Sequence, residues 1–159
     1  MNHHIEYSFV GYQADQLKSW SFNKFGYRPH ITLVPPFSIR ISDEILKKRI
    51  FEAASRQAPI PFLLEGRGSF GTIQFIPVVS EELGYFADTL ESSLSSDVSF
   101  VKKLGDQRIL HVTLGRGKPK DQFPQTQFLA DAITGRRNGE KWFVYDLHTH
   151  SERSISNLW

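Results

Sequence analysis

The chain has 159 residues, a formal net charge of +2 at pH 7 and no cysteine. This length fits one domain, and 40% hydrophobic with 23% charged residues is typical of a folded chain with a solvated surface. Without cysteine there is no disulfide, thiolate nucleophile or cysteine-ligated zinc, and the small net charge does not by itself indicate a nucleic-acid binder. No signal-peptide pattern and no long apolar run is present, so we expect a cytoplasmic protein without membrane contact.

The first part of the chain alternates strand and helix patterns. Residues 5–11 alternate apolar and polar side chains and predict a strand, followed by a short helix. Residues 30–34 predict a short β-branched strand that ends at Pro35, because proline cannot donate to a strand ladder. Ser42 then predicts the N-cap of a helix with apolar residues at helical spacing, closed by Pro59.

The rest of the chain continues the mixture of strand and helix patterns, joined by short connections. The predicted elements are strands at 61–71 and 72–79, a helix capped by Ser80, strands at 99–104 and 109–116, a helix within 121–137 that ends near Gly135, and a last strand at 141–150.

The sequence His-x-Thr-Leu occurs twice, beginning at His30 and at His111. The two histidines are 81 residues apart, so that one motif falls in each half of the chain. We interpret this as a degenerate internal duplication. It predicts an α+β domain over residues 1–159, built of two antiparallel-rich sheets flanked by helices, in two lobes related by a pseudo-twofold axis around a central groove.

Each motif places a base beside a hydroxyl group. Side chains at i and i+2 of a strand point to the same face, so His30 projects with Thr32 and His111 with Thr113. Two imidazoles can act as an acid–base pair near neutral pH, and threonine hydroxyls can donate hydrogen bonds to phosphoryl oxygens. The residues alone therefore indicate a phosphate-binding cleft that requires no metal ion.

Three stretches resemble the two-histidine (2H) phosphoesterases, the superfamily of LigT-like RNA 2',3'-cyclic phosphodiesterases and 2'-5' RNA ligases. They are PHITL at 29–33, HVTLGR at 111–116 and the strand-then-helix stretch at 68–94. Two features depart from many relatives: Leu110 stands where they have proline, and the segment before His30 is short. These departures affect the expected shape of the groove more than its chemistry.

The resemblance implies roles for the motif residues. One of His30 and His111 would be the general base for the attacking water and the other the general acid for the leaving ribose oxygen. The resemblance does not assign these two roles to particular histidines. Thr32 and Thr113 would bind the phosphate, and no cofactor would be needed. The expected activity is opening of 2',3'-cyclic phosphates, on RNA ends or nucleotides, to phosphomonoesters, with reversible 2'-5' RNA ligation as an additional activity. The expected oligomeric state is a monomer.

Two other functions stay open at this point. The same groove could hold a nucleotide or RNA without turnover, as a binding module. A zinc hydrolase could instead use His30 and His111 together with His148 and His150, which share a face of the predicted last strand with Asp146. An exposed strand face that carries histidines by chance is the simpler interpretation of that last group.

Further residues are candidates for substrate contact. Within 101–120, six lysines and arginines stand against one aspartate, which concentrates positive charge around the second motif. Aromatic side chains near the motifs could stack on a base, and arginines next to them could meet a phosphate. The candidates are Arg28, Arg116, Tyr12, Tyr27, Phe37 and Phe70.

Overall fold

The computed structural model describes residues 2–20, 28–100, 108–117 and 121–155. The helices in this part of the chain are α1 (Gly11–Lys18), α2 (Asp43–Ala54) and α3 (Glu81–Leu94). The strands are β1 (His3–Ser8), β2 (His30–Ile39), β3 (Ile60–Gly66), β4 (Gly68–Phe70), β5 (Ile73–Val79), β6 (Val98–Phe100), β7 (His111–Arg116), β8 (Phe123–Ala130), β9 (Ala132–Arg137), β10 (Glu140–Asp146) and β11 (Ser151–Arg153).

The strands follow one antiparallel hydrogen-bonded path. Its order is β11-β10-β9-β1-β2-β7-β5-β3-β8, with β4 paired to β5 and β6 paired to β2. The two motif strands, β2 and β7, are neighbours near the middle of this path. The predicted α+β class with antiparallel sheet is confirmed. The duplication into two lobes stays a prediction, for which β1 beside β2 and β5 beside β7 are the matching elements.

Two helices begin where their capping residues predict. The Ser42 hydroxyl accepts a hydrogen bond from the Ile45 amide, and the Ser80 hydroxyl accepts one from the Leu83 amide, so each serine satisfies a backbone donor of the first helical turn. Helices α2 and α3 pack on each other, and α3 packs on β2. Their buried side chains share one core with Ile31 and Val112, which lie between the histidine and the threonine of each motif.

Strand β2 is longer than predicted. It continues through the Pro35-Pro36 pair to Ile39, and the prediction that it ends at Pro35 is wrong. The pairing of β1 with β2 slips by one residue between His3 and Ile5, opposite these prolines. A residue in a bulge is left unpaired in the ladder, so it does not have to donate an N–H hydrogen bond. Proline, which has no N–H group, can therefore stay in the strand.

The predicted helix within 121–137 is also wrong: this segment forms β8 and β9. Strand β8 pairs with β3, and β9 pairs with β1 and β10, so long-range pairing overrides the local helical pattern. Gly135 is a packing residue rather than a helix end, because a Cβ atom there would lie 2.1 Å from the Phe143 ring.

The predicted strand at 141–150 ends early. Strand β10 stops at Asp146, and residues 147–150 form a turn before β11. The Asp146 carboxylate accepts hydrogen bonds from the backbone amides of His148 and Thr149, which stabilises the turn. None of the helices among the described residues has the length and hydropathy of a membrane span.

Candidate active site

The two motifs meet at the pairing of β2 with β7. Ile31 lies opposite Val112 in this antiparallel pair, and both are buried in the core. The same register sets His30 opposite Thr113 and Thr32 opposite His111 on the other face of the sheet, where all four side chains are half-buried.

This arrangement sets the two histidines on a diagonal of the four-residue patch. Diagonal neighbours of an antiparallel pair are about 7–8 Å apart. A phosphate group bound between them would therefore have an imidazole on each of two opposite sides and a threonine hydroxyl beside each imidazole.

Both histidines are anchored in the same way. The Nδ1 atom of His30 lies 2.7 Å from the Arg28 carbonyl oxygen, and Nδ1 of His111 lies 2.8 Å from the Ile109 carbonyl oxygen. A carbonyl only accepts, so Nδ1 carries the proton in each ring, and Nε2 is the nitrogen left to exchange a proton with a substrate. Each anchor is the backbone two residues before its histidine.

A buried carboxylate lies beside the first motif. Glu6 on β1 is 0% exposed, and its cross-strand partner is Thr32. The Arg28 guanidinium donates hydrogen bonds to both of its carboxylate oxygens, and His4 Nε2 lies 2.7 Å from Oε1. Nε of Arg136 lies 3.5 Å from the same oxygen. Glu6 is thus the shared partner of Arg28, Arg136 and His4 in one cluster.

This cluster shifts the protonation of both Glu6 and His30. Burial alone would raise the pKa of Glu6, but hydrogen bonds from His4 and Arg28 outweigh it and hold that pKa far below the ordinary value of 4.5. Burial lowers the pKa of His30 below 6.5, and the Glu6 carboxylate offsets only part of this effect. His30 is therefore mainly neutral at pH 7, which is the form a general base needs.

Aromatic rings surround the second motif instead. The His111 ring lies 5.1 Å from the Phe75 ring and 5.2 Å from the Phe70 ring, measured between centroids, and the two phenylalanines stack on each other at 4.5 Å. Phe75 is the cross-strand partner of Thr113 on β5, as Glu6 is of Thr32 on β1. Equivalent positions of the two motifs thus hold a phenyl ring in one case and a carboxylate in the other.

The predicted substrate-contact residues divide into those near the motifs and those away from them. Phe70 is 43% exposed and touches His111, so its ring is available beside the site. Tyr12 is 83% exposed on α1, outside the two motif strands. Phe37 is fully buried between His3 and Phe100, which removes it from the residues able to stack on a base. Tyr27 lies outside the described residues.

The two candidate arginines have different environments. Arg28 binds Glu6 with its side chain and orients His30 with its carbonyl group, so its position is structural as well as close to the site. Arg116 is exposed, and its NH1 donates to the Thr72 hydroxyl at 2.9 Å. A bulge in β7 between Thr113 and Gly115 brings Arg116 to the same face as Thr113, although they are three residues apart.

The proposed alternative metal ligands do not lie on one strand face. His148 and His150 are in the turn after β10, and His150 Nε2 lies 2.9 Å from the Gln57 carbonyl oxygen. Within residues 2–20, 28–100, 108–117 and 121–155, no three histidine, aspartate or glutamate side chains are grouped to hold a metal ion. Of the lysines and arginines within 101–120, only Arg108 and Arg116 are described, and Arg108 pairs with Asp88 and Glu91.

The sequence analysis missed Glu6, His4 and Phe75. A signal for Glu6 was present: it is an acidic residue inside a strand of apolar neighbours, where a buried carboxylate requires a cationic partner. The identity of those partners depends on the pairing of β1 with β2 and β9, which the sequence does not state.

Comparison with known proteins assigns the chain to a family. Residues 17–150 match the model of the 2'-5' RNA ligase superfamily. The chain belongs to this superfamily. The resemblance to the 2H phosphoesterases, drawn from the three stretches at 29–33, 68–94 and 111–116, is thereby confirmed. Sequence comparison with curated proteins gives no match.

Several solved structures share the fold of this member of the 2'-5' RNA ligase superfamily. The protein TT0787 of Thermus thermophilus aligns with a TM-score of 0.62 and 14% identity over 92% of this chain and 98% of its own. A structure described as a phosphoesterase aligns with a TM-score of 0.62 and 16% identity over 92% and 97%. Escherichia coli LigT complexed with 3'-AMP aligns with a TM-score of 0.54 and 15% identity over 88% and 91%. At these identities the alignments show the shared fold.

Proposed function

We propose that this protein is a metal-independent phosphodiesterase that opens 2',3'-cyclic phosphates on RNA ends or nucleotides to phosphomonoesters. The observation that supports this most is the matched anchoring of His30 and His111, each by Nδ1 on the carbonyl two residues before it, on adjacent strands of the sheet. Two imidazoles held in this way can supply both proton transfers of the reaction. Membership of the 2'-5' RNA ligase superfamily supports an activity on phosphate esters of RNA.

We assign the base to His30 and the acid to His111. Nε2 of the neutral His30 takes a proton from water as the water oxygen bonds to phosphorus. The bond from phosphorus to one ribose oxygen breaks, and Nε2 of the protonated His111 gives its proton to that oxygen. Thr32 and Thr113 donate hydrogen bonds to the non-bridging oxygens, whose charge increases in the transition state. The same steps with a 5'-hydroxyl group in place of water form a 2'-5' phosphodiester: His30 takes the proton of the hydroxyl, its oxygen bonds to phosphorus, and His111 protonates the leaving 3'-oxygen, which is the ligation reaction.

The test is hydrolysis of the four 2',3'-cyclic mononucleotides and of a cyclic-phosphate-ended RNA in EDTA. We expect turnover by the wild type and a loss of at least about 100-fold in His30→Ala and in His111→Ala, the scale for removing a general acid or base. His148→Ala, in the turn after β10, is the matched control and should keep full activity. The rate should depend on pH in a bell shape, because one histidine must be neutral while the other is protonated.

A nucleotide-binding module is the second candidate. Its support is that Escherichia coli LigT, which shares the fold, has been crystallised with 3'-AMP, with ATP and with NADP+. Nucleotide affinity without product from any substrate would favour the binding module and refute the phosphodiesterase. Turnover that EDTA abolishes would instead refute the metal-independent mechanism.

A further inference from the structure

A cavity of about 530 Å³ lies over β1, β9 and β10, beside the candidate site. Ser8 and Thr134 line it, and these residues are the cross-strand partners of His30 and Glu6 respectively. Directly paired residues of antiparallel strands point to the same face. The cavity therefore continues the surface on which His30 lies and extends it to Lys141 and Arg153 at its far side.

Lys141 is the cation of this cavity without a counterion. It is half-buried and makes no hydrogen bond or ion pair with any residue that the structure describes. Arg153, by contrast, pairs with Asp146 at 2.8 Å and with Asp131, the acidic residue in the cavity lining, at 3.8 Å. Asp131, the carboxylate among the described lining residues, thus pairs with Arg153 and not with Lys141.

The surroundings of Lys141 carry further positive charge. Its cross-strand partner Arg136 is 2% exposed, and the buried NH2 group of Arg136 has no hydrogen-bond partner among the described residues. Arg28, Arg136 and Lys141 surround a single carboxylate, that of Glu6, so the local charge is about +2 with the histidines neutral. Burial, Arg136 and Arg28 lower the pKa of Lys141 by more than the Glu6 carboxylate raises it, and a bound anion would favour the charged form of Lys141.

We infer that this cavity is a second anion subsite, in which Lys141 binds a backbone phosphate of an RNA strand whose cyclic end lies between His30 and His111. The inference rests on the proposed function. Neighbouring strands are about 4.8 Å apart, so β9 lies about 10 Å and β10 about 14 Å from β2. A long lysine side chain covers part of this distance, and the subsite therefore corresponds to a nucleotide next to the reacting one rather than to the cyclic phosphate itself.

The subsite predicts a preference for chain length. We would compare kcat/KM for 2',3'-cyclic AMP with that for a cyclic-phosphate-ended adenylate trimer, in the wild type, Lys141→Met, Lys141→Arg and the control Lys48→Met on the exposed face of α2. We expect the wild type to favour the trimer and Lys141→Met to lose about 10-fold on the trimer alone. Lys141→Arg should keep most of the preference, and Lys48→Met all of it. The salt dependence of trimer binding should become shallower by about one phosphate contact in Lys141→Met.

The outcomes separate the subsite from the proposed function. Equal effects of Lys141→Met on monomer and trimer, or no effect on either, would overturn the subsite while leaving the hydrolase intact. If the wild type hydrolyses nothing, the proposed function fails, and the subsite is then decided by binding of a 3'-phosphate-ended trimer against adenosine 3'-monophosphate. A trimer affinity about 10-fold lower in Lys141→Met would support the subsite in that case, and an unchanged affinity would overturn it.

Discussion

Replacing Glu6 by glutamine should destabilise the protein strongly, although the substitution changes only one atom of the side chain. Glu6 is 0% exposed and accepts hydrogen bonds from Arg28 and Ser8. Glutamine has the same shape but no charge, and its amide nitrogen would face N–H donors. Arg28 and the buried Arg136 would then lose their counterion.

The expected size of the effect follows from the burial of this cluster. Breaking a buried ion pair by removing one partner costs about 3–5 kcal/mol, because the remaining charge stays in a poorly solvated site. Arg28 can partly swing to solvent, since its side chain is 20% exposed, whereas that of Arg136 is only 3% exposed. We therefore expect a loss of about 3 kcal/mol in the free energy of unfolding at pH 7.

The loss should depend on pH with a definite sign. The folded state holds the pKa of Glu6 far below its ordinary value of 4.5. Ionised Glu6 therefore contributes its full stabilisation above about pH 4.5 and loses it as the pH falls further toward the folded-state pKa. The difference between the wild type and Glu6→Gln should be largest near neutral pH and should decrease below pH 4.5.

Urea unfolding at pH 7, 5 and 3.5, followed by tryptophan fluorescence, measures this difference. Glu65→Gln on the exposed face of β3 is the matched control and should stay within about 0.5 kcal/mol of the wild type. A Glu6→Gln variant that unfolds within about 1 kcal/mol of the wild type at pH 7 would refute the assignment of Glu6 as the counterion of this cluster. A difference that persists undiminished at pH 3.5 would refute the electrostatic origin.

Further substitutions test the site and its support. In the proposed mechanism the Thr32 and Thr113 hydroxyls stabilise charge that develops in the transition state, so Thr32→Val and Thr113→Val should each lower kcat by about 100-fold with little change in KM. Steady-state kinetics on 2',3'-cyclic nucleotides measures this. Phe70→Ala should raise KM by about 5-fold or more with kcat nearly unchanged, since stacking on a base contributes about 1–3 kcal/mol per base; an unchanged KM would exclude Phe70 from the binding surface. Gly135→Ala should lower the stability by about 1–3 kcal/mol in urea unfolding, because the added Cβ would lie 2.1 Å from the Phe143 ring.

Short-range patterns account for the parts of this fold that the sequence predicts. The caps at Ser42 and Ser80 act through amides three residues away, so the helices that they start can be recognised locally. The shared face of His30 with Thr32, and of His111 with Thr113, follows from the two-residue period of a strand. These are the features on which the two-motif interpretation depends.

The errors come from pairing between distant segments. In the stretch 121–137, apolar residues fit a helical spacing, yet the ladder partners of β8 and β9 lie about 60 and 130 residues away on β3 and β1. The Pro35-Pro36 pair lies where β2 has one residue more than the facing stretch of β1 between His3 and Ile5, and this bulge in β2 accommodates the missing donor. Neither effect can be inferred from the affected segment alone.

The different neighbours of the two motifs bear on which histidine is the base. Removing the Glu6 charge takes away the one carboxylate that raises the pKa of His30, so that pKa should fall further in Glu6→Gln. The base would then stay neutral to lower pH, and the acidic limb of the kcat/KM profile for a cyclic nucleotide should move to lower pH. Since Phe75 rather than a carboxylate lies at the equivalent position beside His111, the basic limb should move less. A shift confined to the basic limb would reverse the assignment and make His111 the base.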